Sequence, residues 1–305
     1  VIFIFLIPYT ASLYNGLSRL FAMAFPIDYA WCVIVMAVLT AVYVIAGGYM
    51  ATAINDFIQG VIMIGGIIAV IIAVLNSQGG FTEAIKTLGT IRDSASGIEA
   101  GDLSSFFGPD PINLLGVVLL TSLGTWGLPQ MVQKFYAIKN EGAIKKGTVI
   151  STLFALIVAG GCYFLGGFGR LFKPDLAADG SIIFDSIIPN MLSNLSPVLI
   201  GVVIVLVLSA SMSTLSSLVL ASSSTLTLDF IKGKISKNMG EKKQVFIMRV
   251  LIVVFIAISA IIAIMQHKSN VTFIAQLMGV SWGALAGAFL APFMYGLYWK
   301  KTTKA

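Results

Sequence analysis

The sequence predicts an all-α membrane protein with about eight transmembrane helices. Of its 305 residues, 58% are hydrophobic and only 10% are charged, and the mean hydropathy is +0.97. Soluble domains carry roughly 25% charged residues. The apolar residues also fall into repeated runs of about 20, the length that a helix needs to cross a bilayer. A β-barrel would instead show segments of about ten residues with alternating polarity, and the sequence lacks that pattern.

The apolar runs follow one another along the chain, and each can cross roughly 30 Å of hydrocarbon at about 1.5 Å per residue. They cover residues 1–24, 28–48, 51–75, 111–139, 146–172, 197–231, 245–266 and 271–299. Pro26, Pro111 and Pro197 lie where helices are expected to begin, because the first turn does not need the missing N–H. Residues 79–91 and 181–195 have the spacing of short amphipathic helices on the membrane surface, packed over helix ends or acting as a lid.

The charged residues predict which side of the membrane each loop occupies. Basic residues are concentrated after the fourth, sixth and eighth runs, at Lys134, Lys139, Lys145, Lys146, Lys232, Lys234, Lys237, Lys242, Lys243, Arg249, Lys300, Lys301 and Lys304. The positive-inside rule places these regions in the cytoplasm. Most acidic residues lie in the alternate loops, at Asp28, Glu83, Asp93, Glu99, Asp102, Asp110, Asp175, Asp179 and Asp185. We therefore expect a multi-pass protein of the plasma (inner) membrane whose chain starts and ends in the cytoplasm.

Several other classes of protein and site are not expected. The net charge is +6, but the basic residues form short clusters between apolar runs rather than a face for nucleic acid. His267 is the sole histidine and has no cysteine cluster nearby, so we expect neither a transition-metal site nor an organic cofactor. No paired carboxylates or nucleophile–base set lies inside the runs, which argues against an enzyme. The chain opens inside an apolar run without methionine, so we expect a piece of a longer protein.

The sixth run is distinguished by the hydroxyl groups in its second half. They recur at intervals of three and four, with small residues on the same broad face: Ser209, Ala210, Ser213, Thr214, Ser216, Ser217, Ala221, Ser223, Ser224 and Thr227. One interpretation is a close seam between helices, since small residues let membrane helices approach each other. The other is a site for a dehydrated sodium ion, because hydroxyl oxygens can replace its water ligands.

A carboxylate also lies within the third run. Asp56 stands several residues inside an apolar stretch, where a charged carboxylate costs about 2.5–3.5 kcal/mol on insertion scales. It either faces a cavity or partner within the bundle, or it is hydrated at the cytoplasmic mouth near a turn at Gly47 and Gly48. The sequence supports both interpretations equally.

The fourth run contains residues that interrupt a helix. Gly124, Gly127 and Pro129 weaken helical hydrogen bonding beside Trp126. A break at membrane depth is tolerated where it is buried in protein or lines a cavity, and transporters use such breaks to bind ligands. The alternative is a proline kink that serves only packing.

Three segments resemble the sodium/solute symporter family, which contains proline, pantothenate, monocarboxylate and sugar symporters. They are GGYMATAINDFIQG, TWGLPQMVQKFYAIKN and SASMSTLSSLVLASSSTLTLDFI, and the terminal WKKTTKA is similar to the end of the family's tenth core helix. The resemblance covers nearly the whole chain, 1–305, as a single transporter domain. It implies an incomplete inverted-repeat fold of five plus five helices. Residues 1–75 would be the remnant of the first repeat, core helices 3–5, and residues 111–299 the second repeat, core helices 6–10.

The resemblance also implies roles for individual residues. Sodium would be bound by the backbone carbonyl of Ala210 and the hydroxyls of Ser213 and Thr214. Asp56 matches an acidic residue that the family uses on the ion's route to the cytoplasm. The substrate would bind at the break in the fourth run, and the predicted substrate-binding residues there are Thr125, Trp126 and Pro129.

The implied function is sodium-coupled symport of a small organic solute by alternating access across the lipid bilayer. The solute would be an amino acid such as proline, a monocarboxylate or pantothenate. Two departures argue against a sugar: Thr125 replaces an aromatic gate of the sugar branch, and the segment STLFALIVAGG lacks that branch's lysine. The alternative is a solute-sensing membrane domain of a signalling protein, since some members of the family are fused to signalling domains.

Overall fold

A computed structural model gives the chain as a bundle of long helices joined by short surface segments. The structure describes residues 1–94, 96–135, 138–177, 180, 182–193, 195–269 and 274–303, with backbone alone at 48–52 and 269. Asp179 and Lys304, which were assigned to predicted loops, lie outside the described residues. The helices are α1 (Ile2–Ala24), α2 (Tyr29–Ser77), α3 (Phe81–Thr90), α4 (Pro111–Ser122), α5 (Pro129–Phe135), α6 (Glu141–Gly167), α7 (Ile187–Ser193), α8 (Pro197–Thr225), α9 (Glu241–Ser269) and α10 (Ile274–Tyr298).

Shorter pieces connect these helices. Tight 3₁₀ turns occupy Asp102–Ser104, Gly124–Gly127, Gly169–Leu171 and Phe184–Ser186, and a π-helical stretch, Leu226–Ile235, continues α8. Two-residue strands, β1 (Asp175–Leu176) and β2 (Ile182–Ile183), pair antiparallel, a minor exception to the predicted all-α class. The predicted surface helices correspond to α3 and to the Phe184–Ser186 turn with α7.

The long helices confirm a multi-pass membrane protein. Within the described residues, six segments are long and apolar enough to cross a membrane, and the bent pair α4–α5 makes a seventh. The first run differs from the others. Helix α1 has 23 residues but buries polar side chains such as Thr10, Asn15 and Ser18. Its neighbours are α2, α8, α9 and α10, so it lies in the interior of the bundle, where polar groups find protein partners.

Helix α2 contains two spans, Tyr29–Gly47 and Ala53–Ser77, within one helical segment. We expected two helices separated by a turn at Gly47 and Gly48, whereas the helix is assigned continuously through this region. The Nδ2 atom of Asn55 nevertheless donates to the hydroxyl of Tyr43 at 3.0 Å. Twelve residues of straight helix rise about 18 Å, farther than these two side chains reach together, so the helix axis must bend between them.

Two apolar clusters hold the bundle together. The larger one joins α1, the first half of α2, α8, α9 and α10 through fully buried residues such as Leu6, Leu215, Phe255 and Leu285. The second joins α2, α6, α7 and the start of α8 through buried residues that include Ile67, Val158, Met191 and Val203. Helix α8 belongs to both clusters and makes its most extensive contacts with α2. The hydroxyl-rich half of α8 therefore lies at the centre of the packed bundle.

Candidate functional site

The break in the fourth span is packed against α10. The two axes of α4 and α5 meet at 51°, with the turn Gly124–Gly127 between them and Pro129 at the start of α5. A Cβ atom on Gly127 would lie 2.8 Å from the backbone nitrogen of Leu290, so a larger residue would force the helices apart. Close packing at Gly127 is one of the two roles that the sequence left open for this break.

The same break also lines a cavity of about 610 Å³. Thr125 and Trp126 form one side of it, and Phe293 and Tyr298 of α10 form the other, so its walls are mainly apolar. The Thr125 hydroxyl donates to the carbonyl of Ser122 at 2.8 Å, which leaves its lone pairs able to accept a hydrogen bond. Of the predicted substrate residues, the described lining includes Thr125 and Trp126 but not Pro129.

The three predicted sodium ligands lie together on α8. The hydroxyls of Ser213 and Thr214 both donate to the carbonyl oxygen of Ala210, each at 3.0 Å. All three residues are half-buried. Uncharged carbonyl and hydroxyl oxygens are hard ligands that suit a monovalent cation. Within the described residues, no group of three or more His, Cys, Asp and Glu side chains could hold another metal.

One turn further along α8, a second cavity of about 260 Å³ surrounds Asp56; we call it the Asp56 cavity. Its lining residues are Ala53, Asp56, Gln130, Gln133, Lys134, Ser217 and Leu220, from α2, α5 and α8. The Asp56 and Lys134 side chains, 23% and 49% exposed, form an ion pair with their charged atoms 3.8 Å apart. Asp56 is thus both partly exposed and beside a charged partner, so it combines features of the two interpretations that the sequence left open.

The Asp56 cavity adjoins the predicted sodium ligands. Ser217, which lines the cavity, donates its hydroxyl to the carbonyl of Ser213 at 3.0 Å. Ser213 and Ser217 are four residues apart, so the Asp56 cavity begins one helical turn from the predicted sodium ligands, on the same face of α8.

A second group of charged and polar residues lies at the start of the first α2 span; we call Asn15, Arg19, Tyr29 and Asp185 the Asp185 cluster. Arg19 Nη2 lies 3.7 Å from Asp185 Oδ2, with side chains only 14% and 7% exposed. The side-chain oxygen of Asn15 accepts from Arg19 Nε at 2.8 Å and from the Tyr29 hydroxyl at 3.0 Å. The backbone N–H at the start of α10, Ile274, donates to Asp185 Oδ1 at 3.0 Å.

The electrostatics of Asp185 reflect its burial. Loss of water raises the pKa of this carboxyl above its ordinary value, while the Ile274 N–H, Arg19 and Asn15 act in the opposite direction. A cavity of about 490 Å³ lies beside it, between α1, α8 and α10, and reaches Ser12 and Ser211. The Asp185 cluster thus ties the segment before α7 to α1, α2 and α10 next to this space.

Sequence reasoning missed two of these relationships. Lys134 was assigned only to a basic loop, and no prediction paired it with Asp56. Arg19 was not singled out, and Asp185 was counted only as a loop acid. The available signal for Arg19 was a cation within the first apolar run, which is costly unless it is paired.

Comparison with known proteins agrees with these observations. The model of the sodium:solute symporter family matches residues 1–305. The sodium/proline symporter of Staphylococcus aureus is 31% identical over 314 residues, as is that of S. aureus strain NCTC 8325 / PS 47. Each alignment covers 100% of this chain and 58% of the relative, so the chain spans little more than half the length of these proteins.

A solved structure is similar in fold. It is described as the substrate-bound outward-open state of a Na⁺-coupled sialic acid symporter that reveals a novel Na⁺ site. The match has a TM-score of 0.74 and 18% identity and covers 98% of this chain and 62% of that one. At this identity the match is evidence for the fold. Since the family model extends over the entire sequence, this chain belongs to the sodium:solute symporter family.

Proposed function

We propose that this chain forms most of the translocation unit of a symporter that couples sodium entry to uptake of a small organic solute. The chain would supply core helices 3–10, with residues 1–75 from the first repeat and 111–299 from the second. Transport would follow alternating access around a site near the middle of the plasma membrane.

In this proposal, sodium binds to the carbonyl of Ala210 and the hydroxyls of Ser213 and Thr214. Support comes from the 3.0 Å distance of each hydroxyl oxygen from the Ala210 carbonyl oxygen and from the half-buried position of all three residues. To bind the ion, the two hydroxyl groups rotate away from the Ala210 carbonyl so that their oxygen lone pairs face the ion. The carbonyl oxygen then binds the ion instead of accepting the two hydrogen bonds. The ion leaves along α8 past Ser217 to Asp56, whose carboxylate attracts it toward the cytoplasm.

The solute binds beside the break in the fourth span, against Thr125 and Trp126, with Pro129 fixing the start of α5. The mainly apolar cavity there suits a small solute with an apolar body. We propose proline first, because the relatives at 31% identity are named sodium/proline symporters. Another amino acid, a monocarboxylate or pantothenate would also meet these requirements.

The observation that carries the proposal is the continuity of the two sites. Ser217 lines the Asp56 cavity one helical turn from Ser213, and α5 lines that cavity immediately after the break that holds Thr125 and Trp126. An ion on α8 and a solute at the break therefore act on the same helices. Such a shared set of helices gives a coupling free energy, which is reciprocal between the two ligands.

Uptake by proteoliposomes tests the proposal. We expect labelled proline to accumulate when an inward sodium gradient is present and not when potassium or choline replaces sodium. A panel of labelled monocarboxylates and pantothenate, measured in the same vesicles, identifies the solute if proline is inactive. Binding of a solute without any flux would contradict symport and indicate the sensory membrane domain instead.

A further inference from the structure

Lys134 and Asp56 approach each other in the Asp56 cavity without forming a tight pair. Their charged atoms are 3.8 Å apart, beyond the roughly 3.2 Å limit of a well-formed N–H···O hydrogen bond. The lysine side chain is about half exposed, so water competes for its ammonium group. The ammonium is therefore attracted to the carboxylate but remains free to move away.

The cavity also presents oxygen atoms that no described residue satisfies. Oδ1 of Asp56 and Oε1 of Gln130 are buried and have no hydrogen-bond partner among the described residues. Gln130 is only 6% exposed and lines the cavity together with Ser217. A volume of about 260 Å³ leaves room for an ion with several waters, since a water takes about 30 Å³. These oxygens are suited to a cation or its hydration shell.

Lys134 is attached to the helix whose orientation would change with substrate. It lies in α5, five residues after Pro129, beyond the 51° bend. Thr125 and Trp126, on the other side of the same bend, line the larger cavity. A movement of α5 about this bend, relative to α2, would therefore change the distance between the ammonium and Asp56.

We infer that Lys134 is a tethered competitor of the transported cation at Asp56. The ammonium pairs with the carboxylate when no ion is present, and an arriving sodium ion displaces it, because two cations at one carboxylate repel each other. When the ion enters the cytoplasm, Lys134 returns and prevents it from rebinding. This role rests on the proposed function, since it assigns Lys134 to the release step of that cycle.

Sodium binding to the purified protein tests the inference separately from transport. The measurement is equilibrium binding of ²²Na⁺ in detergent to the wild type, Lys134→Gln and Lys134→Arg. We expect Lys134→Gln to lower the half-saturating sodium concentration about threefold to fivefold, the size expected for a half-exposed ion pair. Lys134→Arg retains the competing charge and should stay close to the wild type. In proteoliposomes, Lys134→Gln should also show a lower maximal uptake rate, because release becomes slow.

The matched control is Lys139→Gln, which removes one positive charge from an exposed position on the same side. It should leave the half-saturating sodium concentration unchanged. If Lys134→Gln binds sodium equally or more weakly than the wild type, the competitor role is wrong, because mere damage to the site would also weaken binding. Absence of sodium-dependent uptake by the wild type would instead contradict the proposed function, whatever the binding result.

Discussion

Two ion pairs lie beside different parts of α2, one at the start of its first span and one near the start of its second span, and their surroundings differ. Arg19 and Asp185 are both largely buried and share hydrogen bonds with Asn15 and the Ile274 N–H. Lys134 and Asp56 are more exposed, and buried oxygens beside them have no described partner. The first pair is enclosed in a network, whereas the second borders a cavity with room for an ion.

The difference indicates that the two pairs have different roles. A buried pair with all its partners in place is strongly destabilised when one member is removed. A loose, hydrated pair contributes little to stability but remains available to a passing ion. We therefore expect substitutions in the Asp185 cluster to affect mainly folding, and substitutions in the Asp56 cavity to affect mainly sodium binding.

The largest expected effect is that of Asp185→Ala. Unlike protonation, deletion of this side chain leaves the Ile274 N–H and the buried Arg19 guanidinium without their acceptor oxygens, so the free energy of unfolding should fall by about 3–5 kcal/mol. The measurement is an SDS titration of the protein in mixed micelles. Lys86→Ala, which breaks the exposed ion pair with Glu83, is the control and should change the free energy of unfolding by less than about 1 kcal/mol. Equal effects of the two variants would show that the buried Arg19–Asp185 pair contributes no more to stability than an exposed ion pair.

Asp56→Asn should change sodium binding strongly and the free energy of unfolding only slightly. Removing the carboxylate weakens attraction for the ion, so the half-saturating sodium concentration should rise roughly tenfold. The free energy of unfolding should change by less than about 1 kcal/mol, because Lys134 is half exposed. Asp229→Asn, at an exposed acid near the end of α8, is the control for sodium binding. A large loss of stability without a change in sodium binding would make Asp56 structural.

The smallest expected effect is a pH dependence at Asp185. Burial raises the pKa of this carboxyl above 3.8, so the native protein binds the proton more tightly than the unfolded chain does. The free energy of unfolding should therefore gain a contribution as the pH falls through the raised pKa toward 3.8. Subtracting the pH profile of Asp185→Asn isolates this contribution. If the difference between the two free energies of unfolding decreases as the pH falls, the attraction of Arg19 lowers the Asp185 pKa by more than burial raises it.

The sequence predicted features that depend on local periodicity. Pro197 was expected at the start of a helix and begins α8, and residues 79–91 contain α3. The proximity of Ala210, Ser213 and Thr214 also follows from helical spacing, since residues three and four apart share a face. These features can be recognised from a short stretch of sequence, without knowledge of which distant residues pack against it.

Features that depend on distant partners were not predictable in this way. The first run was treated like the others, although it is an interior helix whose neighbours α8, α9 and α10 come from the other half of the chain. Asn15 and Asp185 are 170 residues apart, and no local pattern links them. A turn was expected at the glycines between the second and third runs, but the packing of the two halves of α2 in different apolar clusters was not.

Sodium binding on α8 is most directly tested by comparing Ser213→Ala with Ser224→Ala. Both hydroxyls donate to the carbonyl three residues earlier, at 3.0 and 3.2 Å, so each substitution removes the same kind of hydrogen bond from the same helix. In ²²Na⁺ binding to the purified protein, we expect Ser213→Ala to raise the half-saturating concentration roughly tenfold and Ser224→Ala to leave it unchanged. Indistinguishable binding by the two variants would contradict a sodium site at Ala210, Ser213 and Thr214.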